Sequence, residues 1–183
     1  SIPRNVGQVP IYYNHVSTGR PPKAETDYTS RYLNTPWTAL FPFGHGLSYT
    51  TFAYDNPRVS TDSLVVGDTL TVKVDLTNTG DRTGTEVAQL YVEDPVATIT
   101  RPVRELRDFA RVNLEPGATK TVSFRVTMDD LAYMNRDTER VVEPGRFHLH
   151  VGASSADTKT VSFRLVGSTT HLPRPTVDGR ADR

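Results

Sequence analysis

The feature that most restricts the fold of this chain is an alternation of apolar and polar residues that begins near Ala53 and runs to Val166. Leu70, Val72, Val74 and Leu76 alternate with Thr71, Lys73, Asp75 and Thr77, and Asn78-Thr79-Gly80-Asp81 then turns the chain. A period of two puts one set of side chains on each face of a strand, so each run reads as a strand with one face toward a core. The same pattern recurs at Ala88, Leu90 and Val92, at Ala110, Val112 and Leu114 ahead of the turn Glu115-Pro116-Gly117, and at Val122, Phe124 and Val126. It returns at Phe147, Leu149 and Val151 and at Val161, Phe163 and Leu165. With a first strand near Arg58-Val59, this predicts about seven short strands, the count of an immunoglobulin-like antiparallel β-sandwich. Met128 to Met134 is the one helix-compatible piece, a single turn with Asp129 as its predicted N-cap.

What precedes the alternation is a different kind of sequence. Residues 40–52 hold four aromatics, one Pro and two Gly. Pro removes a backbone donor and Gly is used where the backbone turns sharply or is closely approached, so the stretch is predicted to be a rigid connector. Phe41, Phe43, Leu47, Tyr49 and Phe52 are expected to be buried, with Gly44 or Gly46 where no side chain fits. Residues 1 to about 13, with Val6, Val9 and Ile11 between prolines, read as an extended strand that lacks a sheet of its own. Residues 14–39 hold Asn14, Gly19, Pro21, Pro22, Asn34 and Pro36 without an apolar period, which predicts a long ordered loop. The division expected is therefore 1–39 as strand and loop, 40–52 as connector, 53–166 as sandwich and 167–183 as a polar, flexible tail.

Composition narrows the partners. The 21 basic residues balance the 21 acidic ones without a block of like charge, so the basic footprint of a nucleic-acid binder is absent. No apolar run approaches the roughly 20 residues of a membrane-spanning helix. The absence of Cys removes disulfides, thiol nucleophiles and thiolate metal sites. The opening Ser1-Ile2-Pro3 has no initiator Met, which suggests a chain cut from something longer.

Candidate chemistry is sparse. Ten of the sixteen aromatic residues lie in the first 54 positions, a density suited either to packing between domains or to stacking on sugar rings. Within that region Arg20, Arg31 and Trp37 are the candidate substrate-adjacent residues, two as hydrogen-bond donors and one as a stacking ring. Glu25 and Asp27 are close in sequence, but nothing sets them across a substrate, and they read as solvated loop carboxylates. His148 and His150 share one face of a strand with no third ligand marked by motif, which predicts an exposed sheet pair rather than a metal site. His45 between two glycines reads as a hydrogen-bonding residue of the connector. Ser48 lacks the second Gly of a nucleophile elbow. No catalytic residue, metal site or cofactor is assigned.

Beside this reading stands a resemblance. Val6-Gly7-Gln8-Val9-Pro10-Ile11-Tyr12-Tyr13-Asn14-His15, Thr18-Gly19-Arg20-Pro21, Ser30-Arg31-Tyr32 and the connector from Phe41 to Phe52 resemble, in this order, the end of the α/β sandwich domain and the junction after it in glycoside hydrolase family 3. Asn78-Thr79-Gly80, Ala88-Gln89-Leu90-Tyr91-Val92, Arg101-Pro102, Glu105-Leu106, Leu114-Glu115-Pro116-Gly117 and Glu143-Pro144-Gly145 are similar to its C-terminal fibronectin type III-like domain. The resemblance covers residues 2 to 166 and includes β-glucosidases and β-xylosidases. It implies a mostly β fold, an immunoglobulin-like sandwich preceded by the remnant of an α/β domain. It also implies upstream catalytic domains as partners and a carbohydrate substrate for the intact retaining enzyme, with both catalytic carboxylates upstream of this stretch. An extracellular or periplasmic setting is what the family favours. The rival reading is a free-standing sandwich that binds polysaccharide or protein.

Overall fold

The computed structural model describes residues 1–17, 32 and 34–174. The first element is a single 3-10 turn, Val6–Gln8. The strands of the sandwich follow as β1 (Phe52–Val59), β2 (Ser63–Val65), β3 (Leu70–Asn78), β4 (Gly84–Glu93), β5 (Glu105–Leu114) and β6 (Thr119–Val126). After the short helix α1 (Met128–Leu131) come β7 (Tyr133–Met134), β8 (Arg140–Val142), β9 (Gly145–Gly152), β10 (Thr158–Val166) and β11 (Thr170–His171).

Two sheets form the sandwich, one in the order β1-β3-β6 and one in the order β2-β10-β9-β4-β5. All pairings are antiparallel except β2 with β10, where Leu64 lies beside Leu165. The rows predicted to face inward do so: Leu70, Val72, Val74 and Leu76 meet Val122, Phe124 and Val126 on one side. Opposite them lie Leu90, Val92, Leu149, Val151, Phe163 and Leu165, with the Phe147 and Phe163 rings stacked at 5.5 Å. Burying a side chain of this size stabilises by about 1.5–3 kcal/mol, which is why the alternation dictates the layering. The other face of β3 and β6, with Thr71, Lys73, Thr77, Thr119, Thr121 and Ser123, is polar. Asp75 there accepts from Arg58, Thr121 and Asn56. β1 carries a bulge between Asp55 and Arg58, where Asn56 takes φ +49 and Pro57 has no N–H to give the ladder.

Four expectations are corrected. Residues 1–13 form no strand: with prolines at 3 and 10 and no neighbouring strand to pair with, the segment makes only the 3-10 turn and one bridge, Ile2 to Phe41. The cap of α1 is Thr127, not Asp129, since the Asp130 carboxylate accepts from the Thr127 N–H and hydroxyl in a capping box. Part of the predicted tail is ordered, because Thr170 and His171 pair with Val142 and Val141. The connector is less buried than its composition predicts. Phe43 and Phe52 are half-buried, but Phe41 is 42 % exposed, Leu47 95 % and Tyr49 93 %. The loop from Gly44 to Thr50 is fastened at both ends, by Gln89 and by Asn78, and no layer lies over its middle.

Candidate interdomain and substrate-facing surface

Strict alternation would leave Gln89 and Tyr91 of β4 facing water, yet both are buried. The N-terminal segment covers them. Tyr13 stacks on Phe43 at 4.1 Å and meets Tyr91 edge-on at 5.9 Å, an arrangement that suits the ring quadrupoles. The Gln89 amide donates to the carbonyls of Gly44, at 3.1 Å, and Ala153, at 2.7 Å, while its oxygen accepts from the Tyr91 hydroxyl. Burial pushes the Tyr91 phenol up, which keeps it a neutral donor. Ser155 N–H donates to the Phe43 carbonyl at 2.9 Å, and the Arg104 guanidinium donates to the Ser155 carbonyl. Farther along, the His15 carbonyl accepts from Val103 N–H at 2.8 Å and Val16 bridges to Pro102. Gly44 sits at φ +80, and a Cβ there would fall 2.0 Å from the Gln89 amide oxygen. The position where no side chain fits, expected at Gly44 or Gly46, is Gly44; Gly46 has open space and no positive φ.

A second fastening lies around Trp37. The Gln8 side chain is fully buried, and its amide donates to the carbonyls of Pro36 and Thr38 at 2.8 and 2.9 Å while its oxygen accepts from Arg4 N–H. Arg4 donates to the carbonyls of Thr38 and Ala39, and the Tyr32 hydroxyl to the Gln8 carbonyl. Trp37 itself stays 48 % exposed. Arg20, Arg31, Glu25 and Asp27 lie outside the described residues.

Two polar hubs were not singled out from the sequence as such. Asn78 is inaccessible to solvent: its amide donates to the carbonyls of Arg82 and Leu114, and its oxygen accepts from Thr50 and Gly80. Arg101 is likewise enclosed, bonded to Asp94 at 3.1 Å, Glu105 at 2.7 Å and the Leu131 carbonyl, with its guanidinium 5.0 Å from the Tyr133 ring centroid. Burial pushes the Asp94 carboxyl up despite Arg101. Both hubs fall in stretches that carried the resemblance, but only tertiary contacts reveal their burial. The expected exposed His pair is also corrected. His150 is 6 % exposed, with one ring nitrogen 2.7 Å from Glu93 and the other 2.9 Å from Thr160. Its hydrogen bond holds the Glu93 carboxyl below its ordinary value. Among the described residues no three His, Cys, Asp or Glu side chains gather as a metal site, and no helix is long and apolar enough to cross a membrane.

A family model described as fibronectin type III-like domain matches residues 86–155. The chain is 42 % identical over 168 residues to a periplasmic β-glucosidase of Salmonella typhimurium, covering 91 % of this chain and 22 % of that protein. It is 46 % identical over 171 residues to a β-xylosidase of Formosa agariphila, covering 90 % of this chain and again 22 % of the relative. The crystal structure of a β-glucosidase from Listeria innocua in complex with gluconolactone superposes with a TM-score of 0.84 at 39 % identity, covering 91 % of this chain and 23 % of that one. The chain thus spans about a fifth of the length of the curated relatives it matches. Sandwich, connector and N-terminal segment together match the C-terminal portion, with its fibronectin type III-like domain, of glycoside hydrolase family 3 proteins, and the chain belongs to that family.

Proposed function

We propose that this portion serves a retaining glycosidase that hydrolyses terminal β-linked glucose or xylose, and that it fixes the geometry of the enzyme rather than supplying its chemistry. The observation that carries this reading is the lock formed by Tyr13, Phe43, Gly44, Gln89 and Tyr91, which joins the N-terminal segment to the sandwich. Exposed apolar side chains in the first 49 residues other than Trp37, with Leu47 and Tyr49 foremost, give that joined body a surface for the upstream catalytic domains. Retention requires two carboxylates about 5–5.5 Å apart across the sugar, and in this reading both come from those domains. A body that holds two domains in register matters because displacing a catalytic group by about 1 Å costs on the order of 10²-fold in rate.

The test is kinetic. The intact enzyme should hydrolyse a p-nitrophenyl β-glucoside or β-xyloside, the purified 183-residue chain should not, and the enzyme shortened to end before residue 40 should lose most of its activity. Turnover by the chain alone, or full activity without it, would overturn the reading.

A further inference from the structure

We propose that Trp37 is a stacking platform for a pyranose ring of the substrate away from the scissile bond, and that Gln8 is the positioning residue that holds the platform in place; this rests on the glycosidase reading above. Trp37 is the single tryptophan of the chain, and about half of it faces solvent. A tryptophan used as core filler is buried. Here the fold fixes the backbone on either side of Trp37 instead. Gln8 grips the carbonyls of Pro36 and Thr38, the residues on either side of Trp37, and Arg4 grips those of Thr38 and Ala39. Leu40 N–H donates to the Ile2 carbonyl, and Ile2 N–H to the Phe41 carbonyl, so the next residues are also tied down.

The segment has no regular secondary structure that would order it otherwise. Holding irregular backbone still costs roughly 1–2 kcal/mol per residue in conformational entropy, and a clamp that orders it in advance removes that cost from a later binding step. The Gln8 amide makes these bonds without access to water, so they are not exchanged for solvent. A fixed, half-exposed indole offers what a pyranose needs for stacking, a rigid apolar surface for the C–H face of the ring.

The experiment compares two substrates in the intact enzyme, a p-nitrophenyl β-monoglycoside and a β-linked tetrasaccharide of the same sugar. Trp37→Ala should raise KM for the tetrasaccharide about tenfold more than KM for the monoglycoside, and leave kcat for the tetrasaccharide within twofold. Trp37→Tyr should restore most of the loss, and Gln8→Ala should show the same KM pattern in weaker form. An unchanged KM for the tetrasaccharide overturns the proposal. So does an equal fall of kcat on both substrates with a lowered Tm, which would mean that the ring packs between domains. If the wild-type enzyme hydrolyses neither substrate, the glycosidase reading has failed, and the fluorescence of Trp37 in this chain, titrated with the tetrasaccharide, decides the stacking. A flat titration overturns it.

Discussion

Gly44 and Gly46 look alike in sequence, two residues apart in one connector, and the structure separates them. Gly44 combines φ +80 with a Cβ position inside the Gln89 amide, whereas Gly46 has neither constraint. Gly44→Ala should therefore destabilise the chain by at least about 1–2 kcal/mol from the left-handed backbone alone, lowering Tm by several degrees. Gly46→Ala should stay within about 0.5 kcal/mol, and equal shifts in a thermal melt would refute the role given to Gln89. Charge at single residues is legible only with the fold in hand. Glu93 is pulled below its ordinary 4.5 chiefly by the His150 hydrogen bond, against the opposing effect of its partial burial. A carboxylate depressed in the folded state contributes stability that is full above about pH 4.5 and is lost as the pH falls through its folded value. Glu93→Gln should lower Tm at pH 6–7, and the gap to the wild type should close below pH 4.5. A gap that stays constant across that range would show that the pair carries no linkage.

Among the elements, the strands with one dry face were the legible ones. β3 and β6 follow their alternation residue by residue, because one face meets only core and the other only water. β4 breaks the rule where it matters, burying Ala88, Gln89, Leu90, Tyr91 and Val92 in a row. No local pattern announces that, since the cover on its outer face comes from Tyr13 and Phe43, far away in sequence. The N-terminal segment shows the converse. Its apolar residues suggested a strand, but a strand needs a neighbour, and the described residues offer Ile2 only one bridging partner, Phe41. Dividing the chain at residue 39 gives a test of this dependence. Residues 40–174 should still unfold cooperatively, because both sheets close their core among themselves. Their Tm should fall, however, because Tyr91 and Leu106 lose Tyr13, and Gln8 and Arg4 no longer hold the entry to the connector. Loss of the cooperative transition would place the N-terminal segment within the sandwich core itself.

At the scale of the molecule, apolar exposure is unevenly shared. Among the described residues, Ile2, Val6, Val9, Tyr12, Val16, Trp37, Leu40, Phe41, Leu47 and Tyr49 are exposed before β1, against Val65, Val87, Val96, Phe109 and Met134 in the whole of the sandwich and beyond. The outward face of β3 and β6 is polar instead. Leu47 and Tyr49 measure the uneven exposure most directly, since both are almost wholly exposed on a loop whose ends are fixed. In the isolated chain they have nothing to lose, and Leu47→Asp or Tyr49→Asp should change Tm by no more than an exposed site does, within about 0.5 kcal/mol. In the intact enzyme the proposed upstream domains cover them, and covering a leucine is worth about 1.5–3 kcal/mol that an aspartate forfeits along with its own hydration. The same substitutions should then lower the Tm and the kcat of the intact enzyme, though neither residue has a part in the chemistry. Parallel melts of chain and enzyme settle the matter: if the two variants are as harmless in the enzyme as in the chain, this loop faces water in both, and the upstream domains dock elsewhere.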